Sequence, residues 1–245
     1  MKDCINILDG EFQILSVTPN MYDEVEELLV NISVNNEFGC LITSLRECPL
    51  AIAELRKWIR YILSLGISFA IRHVESLKIV SGIANIIFNV KRMSSYYDIR
   101  AQIKSPNMIK YIKLWDAVDS SFDVNEYFHM DSTMDVEYMA TLPDFRRRGL
   151  AKILCQHSID FARLMARGKF PPEVFARLSK EMQIERPRAV VTVATSPTAQ
   201  KMGHSLGMKA VHKWHFSELR NLGNIITEPI DGESIQYAEL QVIEV

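Results

Sequence analysis

Met134-Asp135-Val136-Glu137-Tyr138-Met139-Ala140-Thr141-Leu142-Pro143-Asp144-Phe145-Arg146-Arg147-Arg148-Gly149-Leu150-Ala151 decides how the rest of the chain is read. Met134 to Leu142 has the pattern of a strand, and Pro143-Asp144 stops it. From about Arg148 to Ala166 the apolar positions Leu150, Ile153, Leu154, His157, Phe161, Leu164 and Met165 fall on one helical face. A helix that opens straight from a tight turn presents unpaired backbone N–H groups and the positive end of its dipole. Gly149 removes a side chain at that end, Ala151 keeps the next inward position small, and Arg146, Arg147 and Arg148 add positive charge. Together these features suit a pyrophosphate.

Two common nucleotide folds are excluded by what the turn lacks. There is no Gly-x-x-x-x-Gly-Lys-Ser/Thr loop and no Gly-x-Gly-x-x-Gly after a strand. Arg-x-x-Gly-x-Ala between a strand and an amphipathic helix remains.

Working outward, Phe12 to Thr18 reads as a strand, and Pro19-Asn20 opens a helix through about Val34 with Met21, Val25, Leu28, Leu29 and Ile32 on one face. Asn35 to Thr43 reads as a loop, and Pro49 to Leu65 as a second amphipathic helix. Ile67 to Val74 and Lys78 to Val90 form a hairpin. Residues 94 to 130 carry little pattern beyond a helix near Met108 to Val118 and a short helix or loop at Val124 to Met130. Glu173 to Met182 predicts one short helix and Ala189 to Ala194 a β-branched strand. Thr198 to Ser205 follows as a helix, and Lys209 to Phe216 and Ser234 to Val245 as closing strands. The order predicts a single α/β (α+β) domain over residues 1–245, its ordered core about 12–245. Its sheet is mixed and mostly antiparallel, with a parallel pair at the pyrophosphate site and helices on both faces.

Composition agrees with a globular protein: 48% hydrophobic and 24% charged residues, with 28 basic against 30 acidic, net −2. That balance predicts no nucleic-acid or membrane partner. Met1 to Glu11 has no apolar secretory core, and Ile79 to Val90 is too short and too polar to span a bilayer. Cys4, Cys40, Cys48 and Cys155 have no metal-ligand spacing, so the expectation is a cytoplasmic, metal-free monomer with reduced thiols.

At Arg146, Gly149 and Ala151 the chain resembles the GCN5-related N-acetyltransferase superfamily, whose Gln/Arg-x-x-Gly-x-Gly/Ala turn holds the pyrophosphate of acetyl-CoA. The resemblance implies that Met139, Ala140 and Thr141 lie beside the pantetheine arm and that Arg146, Arg147, Arg148, Gly149, Leu150 and Ala151 form the pyrophosphate cradle. Thr195 to Gly203 and Leu206-Gly207-Met208 are similar to the family's second conserved strand, helix and Leu-Gly-Phe ending, with Met208 in place of the aromatic. The helix-rich segment before the turn and Arg186-Pro187-Arg188 resemble the insect arylalkylamine N-acetyltransferase-like branch. The resemblance implies an acetyl-CoA-dependent N-acetyltransferase for a small primary amine, with an arylalkylamine first. Polyamines, amino acids or longer acyl-CoA donors are the alternative within the fold, and a catalytically weak acyl-CoA-binding protein is the alternative in another class.

An alkylamine with a pKa near ~10 is nearly all protonated at pH 7, so acetylation needs a base. Glu37 stands where the branch carries its glutamate, although Phe38-Gly39 replaces Pro-Leu after it. Thr195 is the branch's first hydroxyl position, Ser196 a second cofactor contact, and Ala199 lacks the other hydroxyl. Glu137, on the central strand, faces either the cleft or the opposite layer. His129 and His215 flank strands, His157 and Cys155 read as core, and Tyr96, Tyr97, Tyr111 and Trp115 are candidates for an aromatic pocket.

Overall fold

The computed structural model describes residues 4–92, 94–170, 172–223 and 236–245. In chain order the strands are β1 (Cys4–Ile7), β2 (Phe12–Ser16), β3 (Phe69–His73), β4 (Ile79–Asn89), β5 (Ser132–Thr141), β6 (Ala189–Ala194), β7 (Lys209–His215) and β8 (Tyr237–Glu244). Among the described residues they make one sheet of order β1-β2-β3-β4-β5-β6-β8-β7. Every neighbouring pair is antiparallel except β5 and β6. That parallel pair needs a long crossover, supplied by α7 (Leu150–Ala166) and two short helices, α8 (Pro172–Arg177) and α9 (Lys180–Ile184).

Helices cover both faces, as the apolar stripes require. On one side lie α1 (Tyr22–Asn36) and α3 (Pro49–Ser64). Gly82 of β4 faces α1 closely enough that a Cβ there would stand 3.5 Å from Val25. Arg56 and Arg60 of α3 pair with the buried Glu26 of α1 at 3.3 and 2.5 Å, which fixes the two helices side by side. On the other side Phe69 meets His157 and Phe161 of α7 edge-on, with ring centroids 4.5 and 5.2 Å apart. A second apolar cluster joins α2 (Phe38–Ile42) and α5 (Pro106–Ser121) to the β6–β8–β7 end through Phe38, Leu114, Val118, Trp214 and Leu240.

Several elements depart from the sequence reading. The expected loop at Asn35 to Thr43 contains α2, whose N-cap is Glu37; glutamate is outside the usual capping set, which hid the start. The strand β1, the helix α4 (Ser94–Arg100) and the helix α11 (Phe216–Leu222) have no clear sequence signal, all being short segments held by tertiary contacts. Glu173 to Met182 is split between α8 and α9, and Val124 to Met130 contains only α6 (Val124–Tyr127). The helix after β6 is α10 (Pro197–Ser205). Residues 234 and 235, expected in the last strand, lie outside the described residues. Among those residues no helix is long and apolar enough to cross a membrane.

Candidate active site

The site begins where the parallel pair comes apart. β5 and β6 are in register only at Thr133↔Ala189, Met134↔Val190 and Asp135↔Val191. Thr192 Oγ1 then donates to the Val136 carbonyl at 3.2 Å, the last link before the strands diverge. β5 runs on to Thr141 still paired to β4, so its other edge faces an opening. A β-bulge lies opposite the split: Tyr138 pairs with Ala84 and Val136 with Asn85, which leaves Glu137 as the extra residue. The cavity there has a volume of about 1010 Å³.

At one end of it stands the turn. Gly149 is the N-cap of α7 at φ 79°, and no side chain caps the helix, so the first-turn amides are available. A Cβ on Gly149 would meet nothing within 4 Å: the space is open for a ligand, and the glycine answers to backbone conformation. Arg147, also at positive φ (62°), makes no hydrogen bond or ion pair among the described residues. Arg146 spends its Nε on the Thr141 carbonyl at 3.2 Å. Arg148 turns away from the cavity; it pairs with Glu11 at 2.5 Å, and its guanidinium carbon lies 4.7 Å from the Phe12 ring centroid. Phe145 packs edge-on against Phe12 at 6.1 Å, so the turn is buttressed by β2.

The other end is acidic. Glu37, Asp116, Asp119, Asp123, Asp135 and Glu137 line it, and Arg100 is the one basic lining residue outside the turn and α7, among the described residues. Four of the carboxylates are engaged. Glu37 accepts from Gly39 N at 2.8 Å and Cys40 N at 2.7 Å. Asp116 pairs with Arg100. Asp123 caps α6 through the amides of Asn125 and Glu126, and Asp135 accepts from Thr133 Oγ1 at 3.2 Å. Asp119 and Glu137 have no hydrogen bond or ion pair among the described residues.

The unpaired acids are therefore reluctant to ionise. Removal from bulk water, followed by repulsion from Asp119, pushes the Glu137 carboxyl up to about 8. Asp119 is exposed on the cavity side; the protein packed around its carboxyl, then Asp116, raise it to about 6. Burial, then Glu137, drives Asp135 well above the ordinary range. Burial likewise raises Glu37, against the pull of the Gly39 and Cys40 amides.

Aromatic groups complete this end. Gly39 allows them to converge on Glu37: a Cβ there would lie 2.9 Å from the Tyr111 ring, 3.0 Å from Trp115 Nε1 and 3.2 Å from Glu37 Oε2. Trp115 Nε1 is buried without a hydrogen-bond partner among the described residues. The Tyr111 and Tyr138 hydroxyls lie 3.2 Å apart.

No protein-family model and no curated protein matches the sequence. Solved structures match in shape. The protein designated arylalkylamine N-acetyltransferase 7 from the yellow fever mosquito Aedes aegypti superposes with a TM-score of 0.77 at 12% identity, over 98% of this chain and 92% of that one. An apo mutant of agmatine N-acetyltransferase gives 0.73 at 15% identity, over 96% and 100%. The Drosophila melanogaster polyamine N-acetyltransferase, an enzyme that forms N-acetylagmatine, gives 0.70 at 14% identity, over 96% and 100%. The fold is that of the GCN5-related N-acetyltransferases.

Within this N-acetyltransferase fold most of the expected site residues come together. Met139, Ala140, Thr141, Arg146, Arg147, Gly149, Leu150, Ala151, Thr195 and Ser196 line the cavity with Glu37; Arg148 does not. Ser196 Oγ caps α10 by accepting from Ala199 N at 3.2 Å, and the Thr141 hydroxyl bonds Ser81 Oγ at 2.8 Å. Glu137, Tyr96, Tyr97, Tyr111 and Trp115 face the cavity, whereas His129 and His215 are exposed outside it. Burial lowers His157 to about 4 and raises Cys155 to about 11, as befits core positions. Sequence reasoning missed Arg100, Asp116, Asp119, Asp123 and Asp135. A signal existed in part: carboxylates at 116 and 119 share a face of α5, and those at 135 and 137 sit two apart inside β5, whereas Asp123 lies past the end of α5 as the cap of α6.

Proposed function

We propose that this chain is an acetyl-CoA-dependent N-acetyltransferase of a small primary amine, and that the amine carries a second positive charge. The observation that carries the reading is the polarity of one cavity, with uncapped helix amides and arginines at one end and six carboxylates at the other. Arg147, Arg146, Gly149, Leu150 and Ala151 would hold the pyrophosphate, and the free edge of β5 at Met139, Ala140 and Thr141 would take the pantetheine arm. Acetyl-CoA, when bound, supplies an electrophilic carbonyl and a thiolate leaving group.

The remaining chemistry belongs to the chain. Glu137 is the base in this reading, because it is unencumbered and its proton affinity is closer to that of an amine than an ordinary carboxylate's. It removes the ammonium proton, the amine attacks, and the unpaired amides of β5 beside the split are donors for the carbonyl oxygen. As the C–S bond breaks, the second proton lost by the attacking nitrogen goes to the departing thiolate, and the Thr195 hydroxyl, just past β6, is available to relay it. Glu37, expected as the base, is tied to two amides; we give it the role of orienting the acceptor beside Tyr111 and Trp115. A distal cation gains from Asp119: a pair 4 Å apart attracts by about 4 kcal/mol at an effective dielectric near 20, before desolvation is subtracted.

Relatives of this fold bear both substrate names, agmatine or polyamine and arylalkylamine. The second reading, an arylalkylamine acceptor, is favoured by Trp58, Tyr96, Tyr111 and Trp115 on the walls. A cytoplasmic location fits the four unpaired cysteines. The test is release of free thiol from acetyl-CoA over an amine panel, beside thermal shift with acetyl-CoA alone. Transfer to amines supports the proposal; stabilisation by acetyl-CoA with no transfer to any amine makes the protein an acyl-CoA binder.

A further inference from the structure

We propose that Arg100 is an internal counter-ion that sets how many positive charges the acceptor may carry. The inference rests on the amine-acetyltransferase reading above and adds to it the rule by which the pocket counts charge. Arg100 is the last residue of α4, and its side chain lies on the cavity wall against Asp116 of α5. Its guanidinium pairs with Asp116, donates to the Tyr96 hydroxyl at 3.2 Å and has its central carbon 5.2 Å from the Tyr96 ring centroid. The side chain is only 18% exposed, so this is a seated cation and not a solvated surface one.

The count follows from which acids are engaged. Amides hold Glu37 and Asp123, Thr133 donates to Asp135, and Arg100 neutralises Asp116. Two carboxylates are left, Glu137 half-buried in the cavity wall and Asp119 exposed to the cavity, and each senses Arg100 as the nearby opposite charge. Among the described residues no three acids come close enough to chelate a metal ion. Separate carboxylates of this kind match separate ammonium groups along an extended chain. Glu137 receives the reacting ammonium, Asp119 the distal one, and Asp116 would serve a third if Arg100 did not already occupy it. Arg100 is thus a specificity residue that favours dications over trications; it touches the acceptor site without taking part in proton transfer.

The test compares wild type, Arg100→Gln and Arg100→Lys with butylamine, 1,4-diaminobutane and spermidine, by thiol release and by calorimetric binding at equal ionic strength. Arg100→Gln is expected to raise the spermidine to diaminobutane ratio of kcat/KM about tenfold, while Arg100→Lys, which keeps the charge, stays near the wild-type ratio. A purely structural Arg100 would lower all three amines together. An unchanged or lower ratio in a folded Arg100→Gln protein overturns the proposal. Should that variant fail to fold, Asp116→Asn frees Arg100 to compete for Asp119. Weaker binding of diaminobutane with butylamine unaffected then supports the proposal, and equal binding of both overturns it. A wild-type protein that acetylates none of the three amines overturns the underlying function, and the charge rule with it.

Discussion

The two ends of the cavity are built on the same strand and differ in how they achieve their charge. At the cofactor end β5 leads through Pro143 into a glycine N-cap, and local backbone geometry creates the site within a dozen residues. At the acceptor end the charged side chains come from separate parts of the fold, Glu37 from the α1–α2 junction, Arg100 from α4, Asp116 and Asp119 from α5, Asp123 from the cap of α6, and Asp135 and Glu137 from β5, and their charge matters only in company. In the proposed reading the first end binds by backbone, so its chemistry is kept by any sequence that keeps the turn. In the same reading the second binds by side chains, so substrate choice could change without touching the fold.

The most severe way to break the cofactor end is Gly149→Glu. It adds a carboxylate to an anion site and forces a side chain onto φ 79°. Acetyl-CoA affinity should fall about 100-fold or more in titration calorimetry, while 1,4-diaminobutane still binds. Loss of both ligands together would mean that the two ends are not separate.

Glu137→Gln breaks the acceptor end. In the intact protein a carboxyl titrating near 8 is about nine-tenths protonated at pH 7, so kcat/KM should climb between pH 7 and 9. The variant should lose about 10²–10⁴-fold at pH 7, lose that ascending limb, and recover part of its rate at high pH where free amine is abundant. If Glu37→Gln abolishes the limb instead, Glu37 is the base.

A smaller effect separates orientation from proton transfer. Glu37→Gln keeps one acceptor oxygen but weakens the cap of α2, at about 1 kcal/mol of stability, and its pH profile should keep the wild-type shape at a lower rate. Thiol-release rates across pH check the profile, and thermal melts check the lost cap.

Stability should also betray the strained acids. Glu137 is protonated in both states below about 4.5, the unfolded chain ionises first as pH rises, and the folded protein has lost that contribution once pH passes about 8. Relative to wild type, Glu137→Gln should therefore melt at the same temperature at pH 4 and several degrees higher at pH 9, about 2–4 °C for each kcal/mol relieved. A lower melting temperature at pH 9 would show Glu137 to be paired.

The contrast also explains what could be read from sequence. Strand, proline, glycine and amphipathic helix are local signals, so residues 134–166 disclose β5, the turn and α7. Even there Arg148 misled, because charge near a turn does not reveal which arginine folds back onto Glu11 and Phe12. Arg100 lies on a helix too short to announce itself, and its partner Asp116 is on another. Asp119 and Glu137 meet only through tertiary folding, and a period of two cannot say which face of a strand looks into a cleft. Glu37 was visible as a candidate, yet its use as a helix cap was not.

The measurement closest to the central claim is kcat/KM at one pH and ionic strength for agmatine and 1,4-diaminobutane against phenethylamine and butylamine, with acetyl-CoA saturating. The dications should exceed the monocations by about tenfold or more, and the margin should shrink in Asp119→Asn. Equal or better turnover of phenethylamine, indifferent to Asp119, would contradict the account and leave the aromatic walls in charge of specificity.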